Sequence, residues 1–305
     1  MNAIIRAEEQ RQLLELKSHC ERLLRTAEAK GIYPTPVDRL VEAAELVKSG
    51  DLALLEIPTD PLPQSLWRKV GRSLTELISK VKAGLFSKEK TIFINPNAHA
   101  ASVPFATLHE CTHHILPWQT KACVYLDDER TLDPHTRFRF EREANLGASY
   151  LLWQGDDYIK QALDLPITTA TPVSLAQRYG GSVHSSMRYY VETHREVLIL
   201  MVIKCDSSSA DGVRRYELQY AVTSKSFIGK FGKPRFKATL SDSHILLRRT
   251  GLLDLFWEGE VPLVLEGVQH PFAFFGYQTP YNIFILLTPK RVPRRYAKAK
   301  VVVKT

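Results

Sequence analysis

At 305 residues, with 44% hydrophobic and 24% charged side chains, the chain has apolar material for two ordinary domains and a globular balance that excludes a disordered or fibrous protein. Its formal charge of +8 is uneven: "KRVPRRYAKAKVVVKT" holds seven Lys or Arg and no acid, whereas residues 86–165 hold eight basic against eleven acidic residues, a net of −3. Four cysteines without a C-x-x-C pair exclude a zinc ribbon and an evident disulfide scaffold, and the longest apolar run, "VLILMVI", is about a third of a bilayer-spanning segment.

The start, "MNAIIRAEEQRQLLELK", turns charged at once and lacks the apolar core of a secretory signal, so a cytoplasmic protein with no membrane partner is expected. The basic tail reads either as a solvated terminus or as a contact for nucleic acid or an acidic partner.

In chain order, apolar residues at helical spacing over residues 2–30 predict a helix stopped at Gly31. "TPVDRLVEAAELVKSG" predicts a second, entered through Thr35 and Pro36 and ending at Gly50. "DLALLEIP" predicts a short strand, and "SLWRKVGRSLTELISKVKAGLF" a partly helical stretch. "KTIFINP" alternates apolar side chains and halts at Asn95-Pro96, a strand feeding a helix that begins near Ser102 with Pro104 in its first turn. "RFRFEREANLGASYLLW" is helical, and "TPVSLAQRYGGSVHSSMRYYVETHR" reads as two short helices around Gly180-Gly181. From Glu196 the pattern changes to strands: "EVLILMVIKC", "RYELQYAVTS", "HPFAFFGYQ" and "NIFILLTP". A domain boundary is expected near residue 195.

The chemistry lies in "ATLHECTHHILPW". Positions four apart share one helical face, so His109 and His113 can aim two ring nitrogens at one metal ion, while Glu110 beside the first histidine can take a proton from water. Phe105, Thr112 and Leu116 fall on the same face, which suits burial and also permits the plainer alternative of two core histidines bonded to carbonyls. A third ligand is expected in "FEREANLGASYLLW", where Glu141 shares a stripe with Ala144, Asn145, Ala148, Leu151 and Leu152. A carboxylate buried on an apolar stripe needs a cation. Glu143 falls on the other side, with Gly147 and Tyr150, and is expected to be solvated. Asn145 is placed to orient a histidine ligand through its amide. Asp127, Asp128 and His135 are rival ligands nearby, and Cys111, turned away from the histidines, is expected to pack.

On "HECTH" and "EREAN" the chain resembles the ImmA/IrrE family of metallopeptidases, a gluzincin-like group built on H-E-x-x-H followed by E-x-x-A-N or E-x-x-A-D. The resemblance covers about residues 20–195 and implies that His109, His113 and Glu141 bind the metal, that Glu110 is the general base, and that Asn145 supports the ligands. It also implies that "KTIFINP" is an edge strand on which an extended peptide lies. The fold class implied is α+β: a mainly helical, zincin-like domain with a small sheet over residues 1–165, a helix-turn-helix-like segment over 166–195, and a β-rich α+β domain over 196–305, for which the IrrE architecture implies a GAF-like fold. The implied activity is that of a zinc-dependent endopeptidase, with manganese as the alternative metal. Its implied protein substrate is a helix-turn-helix repressor of the XRE type, cut to induce a stress or mobile-element response. Cys111 and Thr112 replace the small or apolar residues common inside the motif. The competing reading is a DNA-binding or repressor-binding regulator with a non-catalytic metal site, although Met187, Tyr189 and Tyr190 look like packing residues rather than a base-reading face.

Overall fold

Helix α1 (Asn2–Thr26) ends where Glu28, rather than Gly31, first takes a positive φ, of 48°. The Glu28 N–H donates to Arg25 O and the Ala29 N–H to Leu24 O, both at 3.0 Å, which closes the helix as a Schellman turn before the glycine is reached. The same device shortens α2 (Val37–Ala43): Glu45 sits at φ 58° and the Leu46 N–H donates to Val41 O at 3.0 Å. The tail of the expected second helix is therefore a strand, β1 (Val47–Ser49).

This computed structural model describes residues 2–50, 83–86, 90–120, 133–206, 215–234, 236, 239–241, 244–248 and 254–290. The expectations for "DLALLEIP", for most of "SLWRKVGRSLTELISKVKAGLF", for Asp127 and Asp128 and for the basic tail beyond Lys290 lie outside the described residues. Among the described residues, no helix is long and apolar enough to cross a membrane.

Strands β2 (Ala83–Phe86) and β3 (Thr91–Ile94) join β1 in a small sheet of order β1-β3-β2, with β3 parallel to β1 and antiparallel to β2. "KTIFINP" is thus the centre of this sheet and not an edge. Both its hydrogen-bonding sides are filled, and its buried Thr91, Ile92 and Phe93 explain why its apolar pattern is stronger than that of either neighbour.

A single 3₁₀ turn (Ala100–Ser102) leads into α3 (Val103–Ile115). Ser102 does not cap α3 with its side chain; its hydroxyl donates to His99 O at 2.8 Å, because the residue already has helical backbone angles. Helix α4 (Pro134–Leu152) is capped by Asp133, whose carboxylate accepts from the His135 and Thr136 N–H groups. α3 packs along α4 and touches α2, β2 and β3, around a core of Cys20, Leu24, Leu40, Ile92, Leu108, Ala144 and Ala148.

Two short helices, α5 (Asp157–Leu163) and α6 (Ala170–Tyr179), are followed by α7 (Val183–Thr193). Gly180, at φ 76°, makes the turn between α6 and α7. Trp153, Tyr158, Tyr179 and Tyr189 pack ring on ring. Ser186, Met187 and Tyr190 are buried.

The β-rich part holds β4 (Ile199–Asp206), β5 (Arg215–Thr223), a helix α8 (Lys225–Phe231), β6 (Thr239–Ser241), β7 (Phe256–Leu265), β8 (Val268–Gln278) and β9 (Ile283–Pro289). They form an antiparallel sheet of order β6-β5-β4-β9-β8-β7. Successive residues of β4 and β9, such as Leu200 with Met201 and Leu286 with Leu287, are buried, so both faces of these strands are covered, which accounts for the unbroken apolar runs in the sequence. β7 was not expected, because Gly259 and Pro262 interrupt its pattern. It lies at the end of the sheet among the described strands, where a proline is tolerated.

The chain divides into two compact units, Met1–Pro166 with Thr171–Tyr190, and Ile167–Ala170 with Val191–Thr305. Together they make a mixed helix-and-sheet α+β protein.

Candidate metal centre

Residues four apart on α3 and the outer edge of α4 build the site. His109 Nε2 and His113 Nε2 stand 3.1 Å apart. The Glu141 carboxylate reaches both, with Oε2 3.3 Å from His109 Nε2 and Oε1 3.8 Å from His113 Nε2. The three side chains offer ligand atoms that all lie within 4.8 Å of one another, close enough to hold a metal ion. Ligand atoms on a tetrahedral ion at bond lengths of about 2.0–2.2 Å sit roughly 3.3–3.6 Å apart, so the observed spacings suit such a donor set with little movement. Among the described residues the convergent group is two imidazoles and one carboxylate, one donor short of the four that a closed structural zinc site uses.

Burial favours the neutral ring of His109, but its hydrogen bond to Glu141, the charges of Glu110 and Glu141, and a hydrogen bond to Asn145 together hold its pKa above the ordinary value. Glu141 is held below the usual carboxylate range, chiefly by the hydrogen bond to His109, against partial burial. Glu110 is half-buried, and its charge acts on both His109 and Cys111. His114 is kept low by burial and by the Lys90 charge and is not one of the convergent group.

Asn145 donates from its NH2 to the Glu141 backbone carbonyl at 2.8 Å, and its hydrogen bond to His109 raises the pKa of that ring, the effect of the amide oxygen accepting from the imidazole. His135 is exposed on the first turn of α4 and is not in the group. Cys111 is buried with its Sγ 4.0 Å from Leu40 O.

Two expectations need correction. Glu141 is not sunk in an apolar stripe, for 52% of its side chain is exposed. The buried face of α4 runs through Phe140, Ala144, Ala148 and Leu151, and Glu141 and Asn145 border it. Its approach to the histidines, rather than desolvation, is what marks it. Glu143 is not solvated: it is only 9% exposed, because the segment after α3 folds over it. Trp118 Nε1 and Gln119 Nε2 each donate to Glu143 Oε2 at 2.7 Å, and Arg139 Nε lies 3.9 Å from Oε1. Gln119 in turn contacts His113 through Oε1 and Nδ1 at 2.6 Å. Sequence reasoning missed Trp118 and Gln119 and placed Glu143 on a solvated face.

No family model matches the chain, and no curated protein matches it. Among solved structures the chain is similar to one described as a Mycobacterium tuberculosis transcriptional regulator, with a TM-score of 0.52 and 10% identity over 90% of this chain and 76% of that one. At that identity the likeness concerns the fold alone.

Proposed function

We propose that the chain is a metal-dependent endopeptidase of the ImmA/IrrE type that hydrolyses one peptide bond in a protein substrate, an XRE-type repressor being the substrate class the sequence resemblance suggests. The observation that carries this reading is the approach of Glu141 to His109 and His113, across two helices, at spacings suited to one cation. Zinc is the metal best matched by two imidazoles and one carboxylate, with manganese the alternative.

When bound, such an ion supplies Lewis acidity toward a carbonyl oxygen and makes nearby water more acidic. His109 and His113 would hold it through Nε2 and Glu141 through its carboxylate oxygens. Glu110, one position after His109, receives a proton from the attacking water on a carboxylate oxygen and returns it to the leaving amine nitrogen. Asn145 and Gln119 keep the two rings from rotating away from the cation. The β-rich unit is assigned a regulatory, ligand-sensing role on family architecture alone, and the cytoplasm is the compartment this substrate class requires.

The test is cleavage. The protein is incubated with zinc and with XRE-type repressors from the same genome, and products are mapped by mass spectrometry. Specific cleavage is expected, lost in Glu110→Gln while that variant still binds zinc. Equal cutting by both forms removes Glu110 from the mechanism, and zinc binding without cleavage of any repressor favours a non-catalytic regulator.

A further inference from the structure

We propose that Gln119 and Glu143 are positioning residues that fix the proton of His113 on Nδ1 and so present the Nε2 lone pair to the cation. The proposal rests on the metal centre above and adds to it a support that the H-E-x-x-H and E-x-x-A-N motifs do not contain.

The logic follows from donors and acceptors. An imidazole Nδ1 facing an amide is ambiguous, since either the amide oxygen or its NH2 can point at the ring. Here the other end of the amide resolves the choice. Gln119 Nε2 lies 2.7 Å from Glu143 Oε2 and 3.4 Å from Phe140 O. A carboxylate and a backbone carbonyl only accept, so the NH2 group must face them. The amide oxygen therefore faces His113 Nδ1, at 2.6 Å, and an oxygen there requires the ring nitrogen to donate. With the proton on Nδ1, Nε2 carries the lone pair, and Nε2 is the atom directed at His109 and Glu141.

Glu143 anchors the chain of bonds. Its burial demands partners, which Trp118 Nε1, Gln119 Nε2 and Arg139 supply. An ionised acceptor strengthens the hydrogen bond it receives and polarises the amide toward the imidazole, which makes Nε2 the better donor to a metal. Asn145 does the corresponding work at His109, but from an exposed position and without a buried charge behind it.

The experiment measures zinc affinity of the full chain by competition with a chromogenic chelator, and reads the His113 tautomer in the metal-free protein by nitrogen NMR of labelled histidine. Gln119→Leu is expected to weaken zinc binding about 10–100-fold. Glu143→Gln is expected to weaken it too, because an amide at 143 lets Gln119 flip and offer its NH2 to the ring. The exchanged pair Gln119→Glu with Glu143→Gln restores an acceptor facing Nδ1 and a donor behind it, and should recover most of the loss. That recovery separates positioning from mere stability, and it decides the matter even where Gln119→Leu folds poorly. Unchanged affinity in Gln119→Leu, an exchanged pair no better than the single variants, or a His113 proton on Nε2 in the unaltered protein each overturns the proposal. A different failure, no zinc uptake by the unaltered protein with His113 still protonated on Nδ1, overturns the metal centre and leaves the hydrogen-bond chain standing as a structural feature.

Discussion

Thr112 on α3 and Gly147 on α4 meet without room for one more carbon: a Cβ built on Gly147 would lie 2.3 Å from Thr112 Cγ2 and 2.9 Å from Oγ1. Thr112 precedes His113, and Gly147 lies two positions past Asn145, so this close approach sets how near Glu141 comes to the imidazoles. The threonine cannot swing aside, because its hydroxyl donates to Leu108 O at 2.7 Å. Gly147→Ala gains about 1 kcal/mol of helix propensity and costs about 1–3 kcal/mol in overpacking, with the methyl landing on a fixed β-branched side chain. Net destabilisation and weaker zinc binding are expected. In a Thr112→Ala background the obstructing atoms are gone, and Gly147→Ala should become neutral or stabilising in urea melts.

Metal addition and removal should be visible in stability. A cation bound only by the folded chain adds about 2.7 kcal/mol at a free concentration of 100 times its Kd. Zinc is expected to raise the melting temperature, and a chelator to reverse it. His113→Ala and Glu141→Ala should abolish that response, and Asn145→Ala should only reduce it. A zinc response that survives in Glu141→Ala would exclude the carboxylate as a ligand.

The two halves of the site were unequally legible. The spacing of four puts His109 and His113 on one helical face, whereas periodicity sank Glu141 in an apolar stripe that the structure shows it only borders, and its convergence with the histidines was implied by the family resemblance. The support from Trp118 and Gln119 to Glu143 depends on the break at Leu116, whose backbone is extended, after which the helical residues 117–120 bring Trp118 and Gln119 over α4, and no period in "LPWQT" announces that redirection. The same contrast holds for the fold. Gly180, at φ 76°, announced the α6–α7 turn, because glycine is the ordinary residue there. Glu28 and Glu45, at φ 48° and 58°, end α1 and α2 with side chains that give no such sign. The central strands β4 and β9 were plain as apolar runs, whereas β7 was hidden by Gly259 and Pro262.

Cys20 and Cys111 should be inert and costly to ionise. Burial, with further contributions from nearby charges, pushes both thiols up to about 12 from 9.0. A raised thiol pKa favours folding fully below about pH 9, and that contribution is lost as pH rises from about 9 toward 12, by roughly 1.4 kcal/mol per pH unit for each thiol. The urea midpoint is expected to fall over that window more steeply than in the Cys20→Ala/Cys111→Ala variant. Peptide mapping after iodoacetamide treatment at pH 8 should find both residues unmodified unless the chain is first unfolded.

In the β-rich unit, Gly276 stands directly opposite Trp257 across β7 and β8, and a Cβ there would lie 2.1 Å from Trp257 Cε2. The indole is pinned by its donation to Leu246 O at 2.8 Å. Gly276→Ala is expected to lower stability by about 1–3 kcal/mol and to shift the tryptophan emission. Gly229→Ala, in α8 where nothing lies within 4 Å of the added carbon, should instead stabilise by up to about 1 kcal/mol. Calorimetry of the two variants checks the contrast.

The assignment of Ile167–Ala170 to one unit and of the stretches on either side of it to the other governs how this protein can be dissected. The polypeptide passes from one unit to the other after Pro166, after Ala170 and again after Tyr190. Neither unit can be excised as one uninterrupted stretch without carrying part of the other: a piece ending at Tyr190 keeps Ile167–Ala170, and a piece starting at Ile167 keeps Thr171–Tyr190.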